Sequence, residues 1–181
     1  MRIQRNHVLS SIVPLCILLL NGAFSTAHAA DVEKSPPVKI AVFDLELADV
    51  SAAAAASTGP SASDLTRMQA VTSEARRVLA QSGRYRLVDT NGADAKPAKE
   101  MSFRTCNGCD AEIALKLGAE QSLIGVVTRV ANTEYYVSLL ITDTKTGKAV
   151  NQQSAFFTGA DDACASGVRM LIEHQVLVSA D

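Results

Sequence analysis

The chain has 181 residues, 48% of them hydrophobic and 20% charged, with a formal net charge of −2. That length suits one hydrophobic core rather than several. A weakly acidic surface has no electrostatic reason to seek nucleic acid or anionic lipid, and neither partner is expected.

The first thirty residues read as a secretory leader. Arg2 and Arg5 precede an apolar run from Val8 to Leu20, which Ser10, Ser11 and Pro14 interrupt. Ala27-His28-Ala29 supplies small residues where a signal peptidase reads, and the run is too short for a comfortable membrane span. Cleavage is expected after Ala29 or Ala30, with export to the periplasm. Cys16 lies within the apolar run and lacks the small residues that precede a lipid-accepting cysteine, so lipidation is not expected. The leader removes two arginines and no acidic residue, which leaves the remainder more acidic still. No second apolar run is long enough to span a bilayer, so no stable membrane insertion is expected after cleavage.

Residues 31–37 end in Pro36-Pro37 and read as a linker; residues 38–178 read as one α/β domain. Val38 to Leu45 is an apolar strand. The Ala, Ser, Gly and Pro of 49–63 predict a mobile loop. A helix follows, capped by Ser61 or Ser63, with Leu65, Met68, Val71, Thr72, Ala75, Val78 and Leu79 on one stripe. Gly83 stops it, and Tyr85 to Val88 is a short strand. A second mobile loop is expected near 89–100. A helix is expected from about Asp110 to Leu117, ended by Gly118. Strands at 123–130, 135–142 and 149–157 follow, joined through Asn132-Thr133 and Lys145-Thr146-Gly147. A last helix, from about 161 to 178, carries Cys164, Val168, Leu171, Ile172 and Gln175 on one side. The order β-α-β-α-β-β-β-α predicts a layered α/β (α+β) domain with a mixed sheet.

Cys106-Asn107-Gly108-Cys109 is the sharpest local feature. In an exported chain the two cysteines read first as a local disulfide, worth about 2 kcal/mol in the chain-entropy model, with Cys164 a small core residue. The rival reading is a thiol-disulfide or metal-handling protein using Cys106, Cys109 and Cys164. A C-x-x-C at a helix start favours thiolate. Against redox work, no proline follows the pair and Asp110 and Glu112 are acidic neighbours. Zinc would need Cys106, Cys109, Cys164 and His174 at an uncommon spacing. Covalent haem is excluded because Asp110, not His, follows the second cysteine. An odd thiol at Cys164 also leaves a bridge between two chains open.

Other chemistry is thin. His174 is the one histidine after the leader, and there is no G-x-S-x-G elbow, Walker loop or G-x-G-x-x-G. No catalytic residue, metal site or cofactor is assigned. Asp44 and Glu46 at the exit of the first strand are polar strand-end residues or a ligand site. Tyr135 and Tyr136 alternate faces, so one of them is expected at the surface, and Phe156-Phe157 reads the same way. Asp44, Glu46, Tyr135 and Tyr136 are the candidate partner surface.

The ordered set Ala41-Val42-Phe43-Asp44-Leu45-Glu46-Leu47, Ser82 to Asp89, Cys106 to Cys109, Ala114 to Ala119, Asp143 to Gly147 and Gly167-Val168-Arg169 resembles a family of exported bacterial proteins catalogued as a domain of unknown function, the 3280 type. It is also distantly similar to the TolB amino-terminal and curli-secretion periplasmic domains. The resemblance implies a small periplasmic α/β domain that binds an envelope or periplasmic protein partner and has no enzyme activity. It also implies a tryptophan where this chain has Cys164, so a surface built on that tryptophan would be altered here.

Overall fold

The computed structural model describes residues 35–54, 59–92, 96–159 and 162–179. The expected leader and most of the expected linker lie outside the described residues. Five strands run in the sheet order β3-β1-β4-β5-β6, and a sixth, β2, pairs with β4. The strands are β1 (Val38–Val42), β2 (Glu46–Asp49), β3 (Tyr85–Val88), β4 (Gln121–Ala131), β5 (Glu134–Asp143) and β6 (Ala149–Thr158). The helices are α1 (Ala62–Gln81), α2 (Lys96–Glu100), α3 (Cys109–Lys116) and α4 (Ala163–Leu171). β1 is parallel to β3 and β4, while β4, β5 and β6 form an antiparallel meander. The α/β class and the mixed sheet are as the sequence predicts, with β2 and the short α2 as additions.

β2 corrects the expectation of one strand ending at Leu45. β1 and β2 both pair with β4, but the register slips by one residue between them. The slip resets the in–out alternation. Ile40 and Val42 face the main core before it, and Leu45 and Leu47 face that core after it. Asp44 escapes to solvent with its side chain 71% exposed. The Leu45 amide donates to Thr72 Oγ1 of α1 at 3.0 Å, which fastens the break to the helix. Strand therefore extends to Asp49, and helix α2 occupies 96–100, both within or beside segments expected to be loop.

α1 starts with a capping box: the Asp64 amide donates to Ser61 Oγ and the Ser61 amide to the Asp64 carboxylate. Its buried stripe is Met68, Val71, Thr72, Ala75, Val78 and Leu79. Leu65, expected on that stripe, is 54% exposed. Asp64 is turned inward in its place, because its carboxylate serves both the cap and two arginines.

The last helix changes pitch. α4 gives way to a π turn at Ile172–Val176, where the Leu177 amide donates to the Ile172 carbonyl. The extra residue in the turn buries both Ile172 and Val176 and leaves Gln175, expected inside, only half-buried. Asn151 Nδ2 of β6 donates to the Val176 carbonyl at 3.3 Å.

The two sheet faces are covered unequally. α1, α4 and the π turn pack the main core with Ile40, Val42, Leu123, Val137, Leu139 and Ile141. Each fully buried Leu or Ile there contributes about 1.5–3 kcal/mol of transfer free energy. On the opposite face α3 and Phe103 cover only Ala41, Phe43 and their neighbours. The β5–β6 half of that face carries no helix among the described residues.

Candidate functional site

The uncovered half-face is built by alternation. Ile124, Val126 and Thr128 of β4 lie opposite Leu140, Ser138 and Tyr136 of β5. These in turn lie opposite Gln152, Ser154 and Phe156 of β6. The β4 and β5 side chains are half-buried and the β6 ones exposed. Tyr136 and Phe156 stack with ring centroids 5.0 Å apart and an interplanar angle of 52°. Such a tilted pair holds its geometry without a covering helix. Phe156 is 68% exposed.

Where this half-face meets the 102–104 loop there is a depression of about 250 Å³, lined by Phe103, Arg104, Ile124, Val126, Leu140 and Gln152. Glu46 holds its wall in place. The Ser102 hydroxyl and the Phe103 amide each donate to the Glu46 carboxylate at 2.5 Å, and Arg104 Nε donates at 2.9 Å. The Phe103 ring is fixed from below by Phe43, 4.7 Å away. The slip after β1 is what turns Glu46 to this face.

The Cys106–Cys109 turn continues from the same loop. The two Cα atoms are 5.8 Å apart and the sulfurs are placed in bonding contact; this separation suits a disulfide. Gly108 has φ +89°, a left-handed conformation that opens α3 and that a residue with Cβ rarely adopts. The Cys109 amide points at Cys106 Sγ, 3.1 Å away. Asp110 is buried, and its carboxylate accepts from Ser122 Oγ at 2.6 Å.

The sequence candidates separate as follows. Tyr136 belongs to the open face. Tyr135 does not: it is 2% exposed in the main core, under Arg67, whose guanidinium sits 5.9 Å from the ring centroid. Tyr135 is therefore withdrawn from the partner surface. Glu46 is a loop anchor rather than an open strand end. Asp44 lies at the carboxyl end of β1, bound by Arg76 at 3.0 Å. Arg76 also donates to the Val42 carbonyl and to Thr90 Oγ1, so this strand end is tied to α1. Cys164 is fully buried in the main core, and so is the position the resemblance gives to tryptophan. Burial also removes Cys164 from the surface where a bridge between chains would form. Cys106 and Cys109 pack with the cluster on the opposite face, and His174 is exposed, so the four zinc candidates are not brought together. Among the described residues, no group of three or more His, Cys, Asp or Glu side chains is placed to hold a metal ion.

A charged cluster on the α1 side was not anticipated. Arg129 of β4 donates to Asp49 of β2 through Nε and Nη2, and to Asp64 through Nη1 at 2.7 Å. The Arg129 bonds hold the Asp49 carboxyl down at about 2 against its burial, with help from Ser51. Burial pushes Asp64 up, but donors from Arg129 and Ser61 outweigh it and leave it below the usual carboxylate range. The signal for this cluster was Asp49 and Arg129 as charges in otherwise apolar strands, but their pairing needs the β2–β4 register.

Comparison with known proteins then places the chain. The family DUF3280, described as "Protein of unknown function (DUF2380)", matches residues 38–176. The chain belongs to this family. No curated protein sequence matches it significantly. Among solved structures, the LpoB C-terminal domain from Salmonella enterica is 15% identical with a TM-score of 0.50, covering 68% of this chain and 84% of that one. Lipoprotein GNA1162 from Neisseria meningitidis is 16% identical with a TM-score of 0.50, covering 80% and 93%. TolB from Acinetobacter baumannii is 11% identical with a TM-score of 0.43, covering 74% of this DUF3280 chain and 26% of TolB. At such identities the likeness to these structures concerns the fold alone. Among the described residues of this DUF3280 member, no helix is long and apolar enough to cross a membrane.

Proposed function

We propose that this DUF3280 member is an exported, non-enzymatic domain that binds an envelope protein through the open half of its sheet. The observation that carries the reading is the β5–β6 half-face, which no helix covers among the described residues, with its Tyr136–Phe156 pair beside the depression at Phe103 and Arg104. Aromatic side chains standing on a rigid sheet offer large contact area at low entropic cost, which is what a protein interface uses at its centre. The Cys106–Cys109 pair serves as a disulfide staple that stiffens the loop bordering this face. Export through the leader supplies the oxidising compartment such a staple needs.

The test places a photo-crosslinking residue at Tyr136, at Phe156 and at exposed Leu65 on α1. Positions 136 and 156 should capture one and the same envelope protein, and position 65 should not. With that partner purified, Tyr136→Ala should weaken binding about thirtyfold, the loss expected for an interface anchor. Equal capture from all three positions, or none from 136 and 156, overturns the reading.

A further inference from the structure

The outer edge of β6 is a second surface, bordering the open face. β6 is the last strand of the sheet, and among the described residues no strand pairs with its outer side. Its ten residues, AVNQQSAFFT, contain no charge and no proline. Sheets usually blunt an exposed edge with lysine, proline or a bulge, because a free row of N–H and C=O groups recruits another strand. Here one bulge is present, at Val150: Ile141 pairs with Asn151 and Thr142 with Ala149, which leaves Val150 unmatched. From Asn151 to Thr158 the ladder to β5 is regular, so among the described residues no bulge, charge or proline blunts the outer edge there.

We propose that β6 pairs with β6 of a second copy of this chain, antiparallel, about a two-fold axis through Ser154. The axis follows from geometry. Residues opposed in an antiparallel ladder share a face, and a two-fold axis normal to the sheet preserves faces. Only registers that set one residue opposite itself then satisfy both conditions. Ser154 and Ala155 lie at the middle of the bulge-free stretch, and Ser154 is the exposed one; an axis there sets Asn151 opposite the partner's Phe157 and Gln152 opposite the partner's Phe156. No like charges meet along the ladder. At its ends the charges complement: exposed Lys145 and Lys148 precede β6, and exposed Asp162 follows it. An antiparallel two-fold brings the basic end of one copy to the acidic end of the other, whereas a parallel pairing would set Lys148 beside Lys148. The ladder is short, roughly 23 Å, so the contact is weak and its population rises with concentration. Pairing would join two open faces into one continuous surface.

The test uses the exported full-length protein in sedimentation velocity over a concentration series. Dimer should grow in with concentration for the wild type. Ser154→Lys should weaken dimerisation about tenfold or more, since two like charges then face each other on the axis. Its melting temperature should match the monomeric wild type, because Ser154 is exposed. Ser154→Cys should form a disulfide-linked dimer on mild oxidation, far ahead of a Leu65→Cys control, because only this register sets residue 154 against itself. A monomer at every concentration, unchanged dimerisation of Ser154→Lys, or equal crosslinking of the two cysteine variants overturns the proposal. The crosslinking at Tyr136 and Phe156 is read with Ser154 in place, so failure here leaves the reading of the open face standing.

Discussion

Replacing Arg129 by methionine removes the cation that Asp49 and Asp64 share while keeping most of the side chain's packing. Losing one partner of a fully buried pair costs about 3–5 kcal/mol, mainly because the other charge is stranded. Here the Arg129 and Asp49 side chains are 20% and 18% exposed and Asp64 is 5% exposed. Arg67, 3.2 Å from Asp64 in the wild type, stays available to Asp64 when Arg129 is removed. Both facts favour the lower end, about 3 kcal/mol at pH 7, or about 10 °C in melting temperature for a domain of this size. The pH dependence gives a second reading. In the wild type the Asp49 carboxyl falls from 3.8 to about 2 on folding. A depressed carboxyl contributes stability above its unfolded value and loses it as pH falls through the folded one, here between about 4 and about 2. Without Arg129 that contribution is gone, and two facing carboxylates are relieved by protonation instead. Urea unfolding at pH 7 and pH 3 should therefore show a large gap between the two proteins that narrows on acidification. Adding Asp64→Asn to the variant should recover part of the loss. A gap under about 1 kcal/mol at pH 7, or one that does not narrow towards pH 3, would refute the reasoning.

Gly125 in β4 leaves no room for a side chain: a Cβ there would lie 2.7 Å from Leu139 Cδ2 and 2.8 Å from Leu45 Cγ. Gly125→Ala should cost about 2 kcal/mol in urea unfolding, because Leu45 and Leu139 are core side chains with no room to retreat. Non-reducing peptide mapping should recover the segment spanning Cys106 and Cys109 two hydrogens lighter than its reduced form. Reducing that bridge should then lower stability by about 2 kcal/mol, and a pair recovered as thiols would remove the staple from the functional reading.

Much of the fold was readable because its elements repeat at the right period. The α1 stripe from Met68 to Leu79 and the alternation of Val137, Leu139 and Ile141 both mark a buried face without reference to any partner. Three of the differences share a cause, which is that a residue's role is decided by a neighbour far away in sequence. Leu65 fits the helix period, yet Asp64 turns inward because Arg129 lies 65 residues downstream. Asp44 sits at an in-facing position of an unbroken strand, and only the one-residue slip against β4 releases it and turns Glu46 toward the 102–104 loop. Tyr135 and Tyr136 could be assigned to opposite faces from alternation alone, but not to core and surface. That choice depends on which face α1 and α4 cover, a fact of chain crossover rather than composition.

The same logic explains why the candidate surface was only half legible. An open sheet face contains ordinary strand residues such as Val126, Ser138 and Gln152, and what distinguishes them is that, among the described residues, no helix lies above them. α3 has eight residues, and it follows directly on the Cys106–Cys109 turn. A helix of that length, about 12 Å long, spans only part of a five-strand sheet roughly 19 Å across, so α3 by itself does not reach over the β5–β6 half. The turn that marked the chain in sequence thus sits at the boundary of the exposed face. Glu46 ties that boundary to β2, and the register slip sets where Glu46 points. Changing the slip, by deleting one residue between Phe43 and Leu45, should therefore disturb the open face and the α1-side charge cluster together, although no residue of the face itself is altered.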